Sequence, residues 1–189
     1  GVRLAFATQK RELGFNRLFG NLLALDAAAG TVLAENTWWG CNAGPGSVGC
    51  DGFVAGGGAS VDADPWLTLT LGLGAAVVEV NASTSVEAAL VVNSDLVDTS
   101  VGGIFVPDGI LADFGATGGV VAPDPAATLE GVAAATFTAG GTTGPFEVAV
   151  TVDGQTLSSG GEVVVEGYLF ADGFETGDFT RWSESAGEI

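Results

Sequence analysis

The 189-residue chain contains no histidine and no methionine, only two cysteines, and only five lysines and arginines. Each scarcity excludes something. Without histidine there is no Ser-His-Asp or Cys-His triad. Two cysteines with no histidine cannot make a zinc site. Five bases against 23 acids give a net charge of -18, which excludes nucleic acid and anionic membrane surfaces as partners, since both need clustered Lys and Arg. No apolar run approaches the ~18 residues of a membrane-spanning helix. The chain opens on Gly1 without an initiator methionine or a signal-peptide pattern, as a mature or processed segment would. Beyond roughly the first 25 residues no stretch keeps a helical apolar period.

What is present points to an all-β protein. The 31 glycines separate short apolar runs, together with Asp-Gly, Thr and Ser, as in chains built of strands and turns. Hydrophobic residues make up 47%, a share that a β-rich core of Ala and Val accounts for and that extra surface buried against a partner would also explain. Cys41 and Cys50 flank a Gly-rich loop. A disulfide there would contribute about 2.5 to 3 kcal/mol in the chain-entropy model and implies an oxidising compartment. Two free buried thiols are the other option.

Asn36 to Leu67 holds three of the four tryptophans and both cysteines, and divides two textures. Before it, Phe15-Asn16-Arg17-Leu18-Phe19-Gly20-Asn21 is followed about twenty residues on by Glu35-Asn36-Thr37-Trp38-Trp39-Gly40. Between the two lies a strand-like Thr31-Val32-Leu33. Such a period suits the coils of a parallel β-helix. The string Asn36, Trp38-Trp39-Gly40-Cys41-Asn42, Gly44-Pro45-Gly46, Cys50-Asp51 and Val61-Asp62-Ala63-Asp64-Pro65-Trp66-Leu67 resembles the end of right-handed parallel β-helix domains of secreted bacterial proteins. In those it closes the last coil. Only two or three coils are present here, so the start of such a helix is missing or supplied by another chain.

After Leu67 the pattern becomes alternation. Leu67, Leu69 and Leu71 alternate with threonines. Ile110, Ala112 and Phe114 share a strand face, as do Ala133, Ala135 and Phe137, and Phe146, Val148, Val150 and Val152, with a hairpin turn at Asp153-Gly154. Strands of five to eight residues with turns every 8 to 12 predict a sandwich. With Val106-Pro107-Asp108-Gly109, Gly118-Gly119 and Gly131-Val132-Ala133, the stretch resembles the bacterial Ig-like modules of invasin- and intimin-type surface proteins, spacer or adhesive domains without catalytic residues. The end, from Phe170 to Ser183, resembles a terminal pattern of many secreted bacterial proteins and reads as a docking strand or sorting signal. The expected organisation is thus residues 1–66 as β-helix coils with a cap loop, 67–166 as an Ig-like sandwich, and 167–189 as an extended tail.

Candidate chemistry is sparse. Glu35, Asp51, Asp62 and Asp64 are the carboxylates that polysaccharide-cleaving β-helix enzymes would require in pairs, with Arg17 as the one nearby base. Asp62 and Asp64 also fit simple turn roles. Calcium is a possible ligand at Asp172, Glu175 and Asp178, or at Asp51, Asp62 and Asp64, although neither spacing forms a known loop. No other cofactor is implied. Trp38, Trp39 and Trp66 suit either sealing the open end of the coils or stacking sugars, sealing being preferred.

The sequence therefore predicts a non-enzymatic, secreted or cell-surface bacterial protein of structural or adhesive role, with a cell-surface or glycan ligand. The alternative is a polysaccharide-binding or -degrading fragment. Self-association is also expected. Arg3, Lys10, Arg11 and Arg17 with Glu12 give residues 1–17 a charge of +3, and the remaining 22 acids with Arg181 give residues 18–189 a charge of -21. A basic head would be steered to an acidic neighbour. Tyr168, Phe170, Phe174, Phe179 and Trp182 would supply apolar contacts for a donated strand.

Overall fold

The computed structural model describes residues 2–4, 10–21 and 23–165. The tail from residue 166, with Tyr168, Phe170, Asp172, Phe174, Glu175, Asp178, Phe179 and Trp182, lies outside the described residues, as does the side chain of Arg3. Among the described residues every extended element is a strand, and the only helical one is a 3₁₀ turn at Ser100–Gly102.

The N-terminal strands pair in parallel and alternate between two ladders. β1 (Val2–Leu4), β3 (Leu23–Ala27) and β5 (Gly52–Ala55) form one; β2 (Lys10–Glu12), β4 (Thr31–Leu33) and β6 (Ser60–Asp62) form the other. Lys10 stands opposite Thr31, a step of 31 − 10 = 21 residues, and Arg17 bridges Trp38 with the same step. The faint repeat is thus a true stacking register. Phe15 and Asn36, both at positive φ (58° and 52°), turn the two corners, and the Phe15 N–H donates to the Asn36 carbonyl at 3.0 Å. Thr31 stands opposite Ser60, a step of 29. The eight additional residues match the eight enclosed between Cys41 and Cys50, so the disulfide loop is an insertion that leaves the stacking intact. The core of this part is small: Leu25, Val32, Trp39 and four alanines, with Leu13, Leu18, Phe53, Val61 and Trp66 around them.

The third corner stacks on the second: the Asn36 N–H donates to the Pro65 carbonyl at 2.6 Å, and the Leu67 N–H to the Thr37 carbonyl at 3.1 Å. The next strand therefore grows directly out of the parallel stack. It is β7 (Leu67–Leu73), followed by β8 (Val77–Glu79), β9 (Ser83–Asn93), β10 (Leu111–Thr117), β11 (Gly119–Ala122), β12 (Ala126–Ala127), β13 (Val132–Ala139), β14 (Gly144–Val152) and β15 (Gln155–Val164). One sheet has the order β11-β13-β9-β7, the other β12-β10-β14-β15-β8. If β7 and β8 are taken as a first strand split between the sheets, these are the ABED and CFG sheets of an immunoglobulin-like sandwich. β8 lies parallel on β15. That contact requires Gly161, where a Cβ would run into the Ala76 carbonyl.

Period-two alternation builds the sandwich core as predicted. Ala133, Ala135 and Phe137 point inward with Phe146, Val148, Val150 and Val152, and Phe137 stacks on Phe146 at 4.4 Å between centroids. Burying a Val or Phe side chain contributes about 1.5 to 3 kcal/mol. Because β14 ends at the Asp153-Gly154 turn and β15 returns to pair Val163 with Gly144, the chain enters the sandwich at one pole and leaves it at the other. Ten residues of β15 at about 3.3 Å each separate the poles by roughly 30 Å.

Candidate functional site

The most heavily bonded region is the seam where the parallel stack meets the sandwich. Trp38 and Trp39 are neighbours on extended backbone, so their side chains point to opposite faces. Both are fully buried, Trp38 in the core of the sandwich and Trp39 in that of the stack. The sequence grouped them as one plug; the structure divides them between two cores. Neither offers an open ring face for stacking a sugar. Trp66 is partly buried against the stack, and its indole covers Gly44, where a Cβ would sit 2.6 Å from the ring and φ is 86°.

Polar contacts complete the seam. The Trp38 indole N–H donates to Asp153 Oδ2 at 2.8 Å, and Arg17 grips the same carboxylate from Nε at 2.8 Å and through its Nη2 on the other oxygen. Asp153 is held at φ 54° in its hairpin turn, a conformation that Asp tolerates better than most residues. Its carboxylate raises the Arg17 pKa above the ordinary value, chiefly through the hydrogen bond, and partial burial opposes this. The sandwich from 67 to 165 contains no lysine or arginine; among the described residues, its one salt bridge is this pair with Arg17. Arg17 is therefore held within the molecule, where the sequence had placed it among intermolecular contacts.

Asn42 forms a second hub. Its side chain accepts the Leu69 N–H at 2.6 Å and donates to the Leu69 carbonyl at 2.9 Å, doing for the edge of β7 what a neighbouring strand would do. Its N–H donates to Gln155 at 3.0 Å, and its carbonyl accepts the Trp66 indole N–H at 3.1 Å. Asn93 joins Asn36 at 3.0 Å. Cys41 and Cys50 form the disulfide that begins and ends this loop. Sequence reasoning assigned no seam contact to Asn42, Asn93 or Gln155, and gave Asp153 only its hairpin turn. Asn36 and Asn42 did stand in the quoted motif, and that was the only signal.

The carboxylates singled out for chemistry do not converge. Asp51 is buried and accepts the backbone N–H of Asn21 at 3.0 Å and its side-chain amide at 3.0 Å, holding one coil on the next. Asp62 and Asp64 are exposed. Among the described residues no three acidic or sulfur groups are placed to hold a metal ion, so the calcium alternative at Asp51, Asp62 and Asp64 is corrected: Asp51 faces Asn21. Glu35 lines a cleft of about 420 Å³ with Glu12, Phe15, Leu33 and Ile104. A second cleft of about 450 Å³ lies along the seam, between Arg17 and Phe19 on one side and Leu111, Asp113 and Thr151 on the other.

No protein-family model and no curated protein matches the chain. Among solved structures, it is similar over 52% of its length to the D0-D1 domain of intimin (13% identity, TM-score 0.40, 48% of that chain). It is similar over 52% to the Yersinia pseudotuberculosis adhesin InvE (24% identity, TM-score 0.38, 27% of that chain). A third likeness covers 51% of it, to a glycosyl hydrolase family 2 member from Bacteroides cellulosilyticus (12% identity, TM-score 0.43, 14% of that chain). The chain spans less than half the length of each. At these scores the sandwich assignment rests on strand order and register.

Proposed function

We propose that the chain is a non-enzymatic structural or adhesive module of a bacterial cell surface: the closing coils of a parallel β-helix fused rigidly to an Ig-like spacer. The carrying observation is the seam. Trp38 reaches from the stack into the sandwich core, and Asp153 binds it together with Arg17. A spacer must transmit force between its ends, and a chain that enters at one pole and leaves at the other through a bonded junction suits that task. The boundaries are at 66/67 and 166/167. Trp39, Trp66 and the Cys41–Cys50 loop seal the coils, and the disulfide fits maturation in an oxidising compartment.

In this reading modules join head to tail. Among the described residues β1 and β2 each have one edge without a partner strand, and unpaired edges are templates for a further strand. Lys10 and Arg11 lie exposed on β2, and the acidic tail from 167 is the complementary partner. Contacts of this kind do not close, so they propagate. Sedimentation of the purified chain at low and high salt, beside a version ending at Gly167, tests the assembly. Salt-sensitive polymers lost on truncation are expected, and a salt-independent monomer in both cases would end the idea. Incubation with acidic and neutral glycans should give neither cleavage nor retention; either result would favour the polysaccharide-active alternative.

A further inference from the structure

The loop between β9 and β10 exposes four large apolar side chains in nine residues: Leu96 at 86%, Val97 at 54%, Val101 at 89% and Ile104 at 57%. Such a concentration on a soluble surface marks an interaction site. The loop is also built. Leu96 has φ 63°, a conformation that bulky side chains rarely adopt. It is held there by buried Asn93, whose Oδ1 accepts the N–H groups of Asp95 at 3.1 Å and Val97 at 3.0 Å. Asn93 is in turn fixed to Asn36 of the stack, and the Ser94 N–H donates to the Trp66 carbonyl at 2.7 Å. Strain that the surroundings enforce clusters at functional sites.

We propose that this loop docks a partner polypeptide whose apolar side chains are interleaved with Lys or Arg. Charge selects that occupant. Asp95 and Asp98 flank Leu96 and Val97, and hydrogen bonds from the Ser100 hydroxyl and from its N–H at 2.8 Å lower the Asp98 pKa. Glu35 lines the cleft that Ile104 borders, beside Glu12, whose carboxylate is shared with Lys10 at 4.0 Å. No Lys or Arg occurs from 18 to 180. The protein's own tail, 166–189, carries six acids and one Arg and is repelled, as is an anionic lipid surface. The contact is separate from head-to-tail assembly and stands whether or not fibres form.

The probe is an end-capped hexapeptide of alternating leucine and arginine, titrated calorimetrically into the whole chain beside its leucine–glutamate counterpart. Only the arginine peptide should bind. The double variant Leu96→Asp, Val101→Asp should weaken it at least tenfold although it adds two negative charges; attraction by net charge alone would strengthen it. Asp95→Asn with Asp98→Asn should weaken it several-fold, and Glu87→Gln with Glu147→Gln, exposed on the sandwich, less than twofold. Unchanged circular dichroism certifies each fold. Absence of binding, tighter binding by the Asp variant, or equal losses in both carboxylate pairs would overturn the proposal. So would a dimer of the wild-type chain that the Asp variant dissolves, which would make a second copy the occupant.

Discussion

In the sandwich, strands of seven to eleven residues such as β9, β10, β13 and β14 alternate more and less buried positions, β9 breaking the pattern only at Val91-Val92. In the parallel stack the strands are three to five residues long, too short for alternation to bury much. The sandwich closes its core with its own two sheets. The stack has seven buried core residues, four of them alanine, and draws the rest of its order from single side chains: Asp51 on Asn21, Trp39 inside, the disulfide loop outside, and Trp38 inserted into the neighbouring core. One region is stable by pattern; the other depends on particular residues and on the sandwich. Substitutions at the seam should therefore harm the stack first.

Trp38→Ala is the largest such break. Emptying its buried site should cost about 3 to 5 kcal/mol. In a Trp182→Phe background, tryptophan fluorescence, which then follows Trp39 and Trp66 in the stack, and circular dichroism, dominated by the sandwich, should cease to unfold together. Replacing Cys41 and Cys50 by serine should cost about 2.5 to 3 kcal/mol, seen in the fluorescence transition and not in that of the sandwich. The unreduced wild type should take up no thiol label. Next comes Asp153→Asn, expected to cost about 1 to 2 kcal/mol, since Arg17 is partly exposed and screened. A double-mutant cycle with Arg17→Gln should show coupling of about 1 kcal/mol. The smallest effect is Trp66→Phe, which removes the bond to the Asn42 carbonyl and keeps most of the packing, for about 1 kcal/mol in urea unfolding.

The same contrast explains what the sequence could tell. Alternation is a local signal, so Ile110, Ala112 and Phe114, or Phe146 to Val152, declare their inward face without knowledge of their partners, and Asp153-Gly154 declares a turn. In the stack, the resemblance between residues 15–21 and 35–40 gave a period of about twenty and not the 21-residue step itself, because the two corners with positive φ carry unlike residues, Phe15 and Asn36. Burial of the two neighbouring tryptophans in different cores was not legible, since an extended pair splits only once something stands on both sides. Nor was the grip of Arg17 on Asp153: the partners are 136 residues apart, and an Asp in a hairpin turn already has a sufficient local reason to be there. Charge asymmetry pointed outward to another molecule, but for Arg17 the acidic neighbour lies within the chain.

Rigidity of the seam is the central claim, and a distance across it tests that claim most directly. Spin labels on cysteines introduced at Val54 in β5 and Val120 in β11, both exposed, would be read by pulsed electron resonance with the native disulfide intact. One narrow distance distribution is predicted for the wild-type seam, broadening when Trp38→Ala and Asp153→Asn are combined. A broad distribution with the seam intact would show two regions that move independently, and would contradict the account.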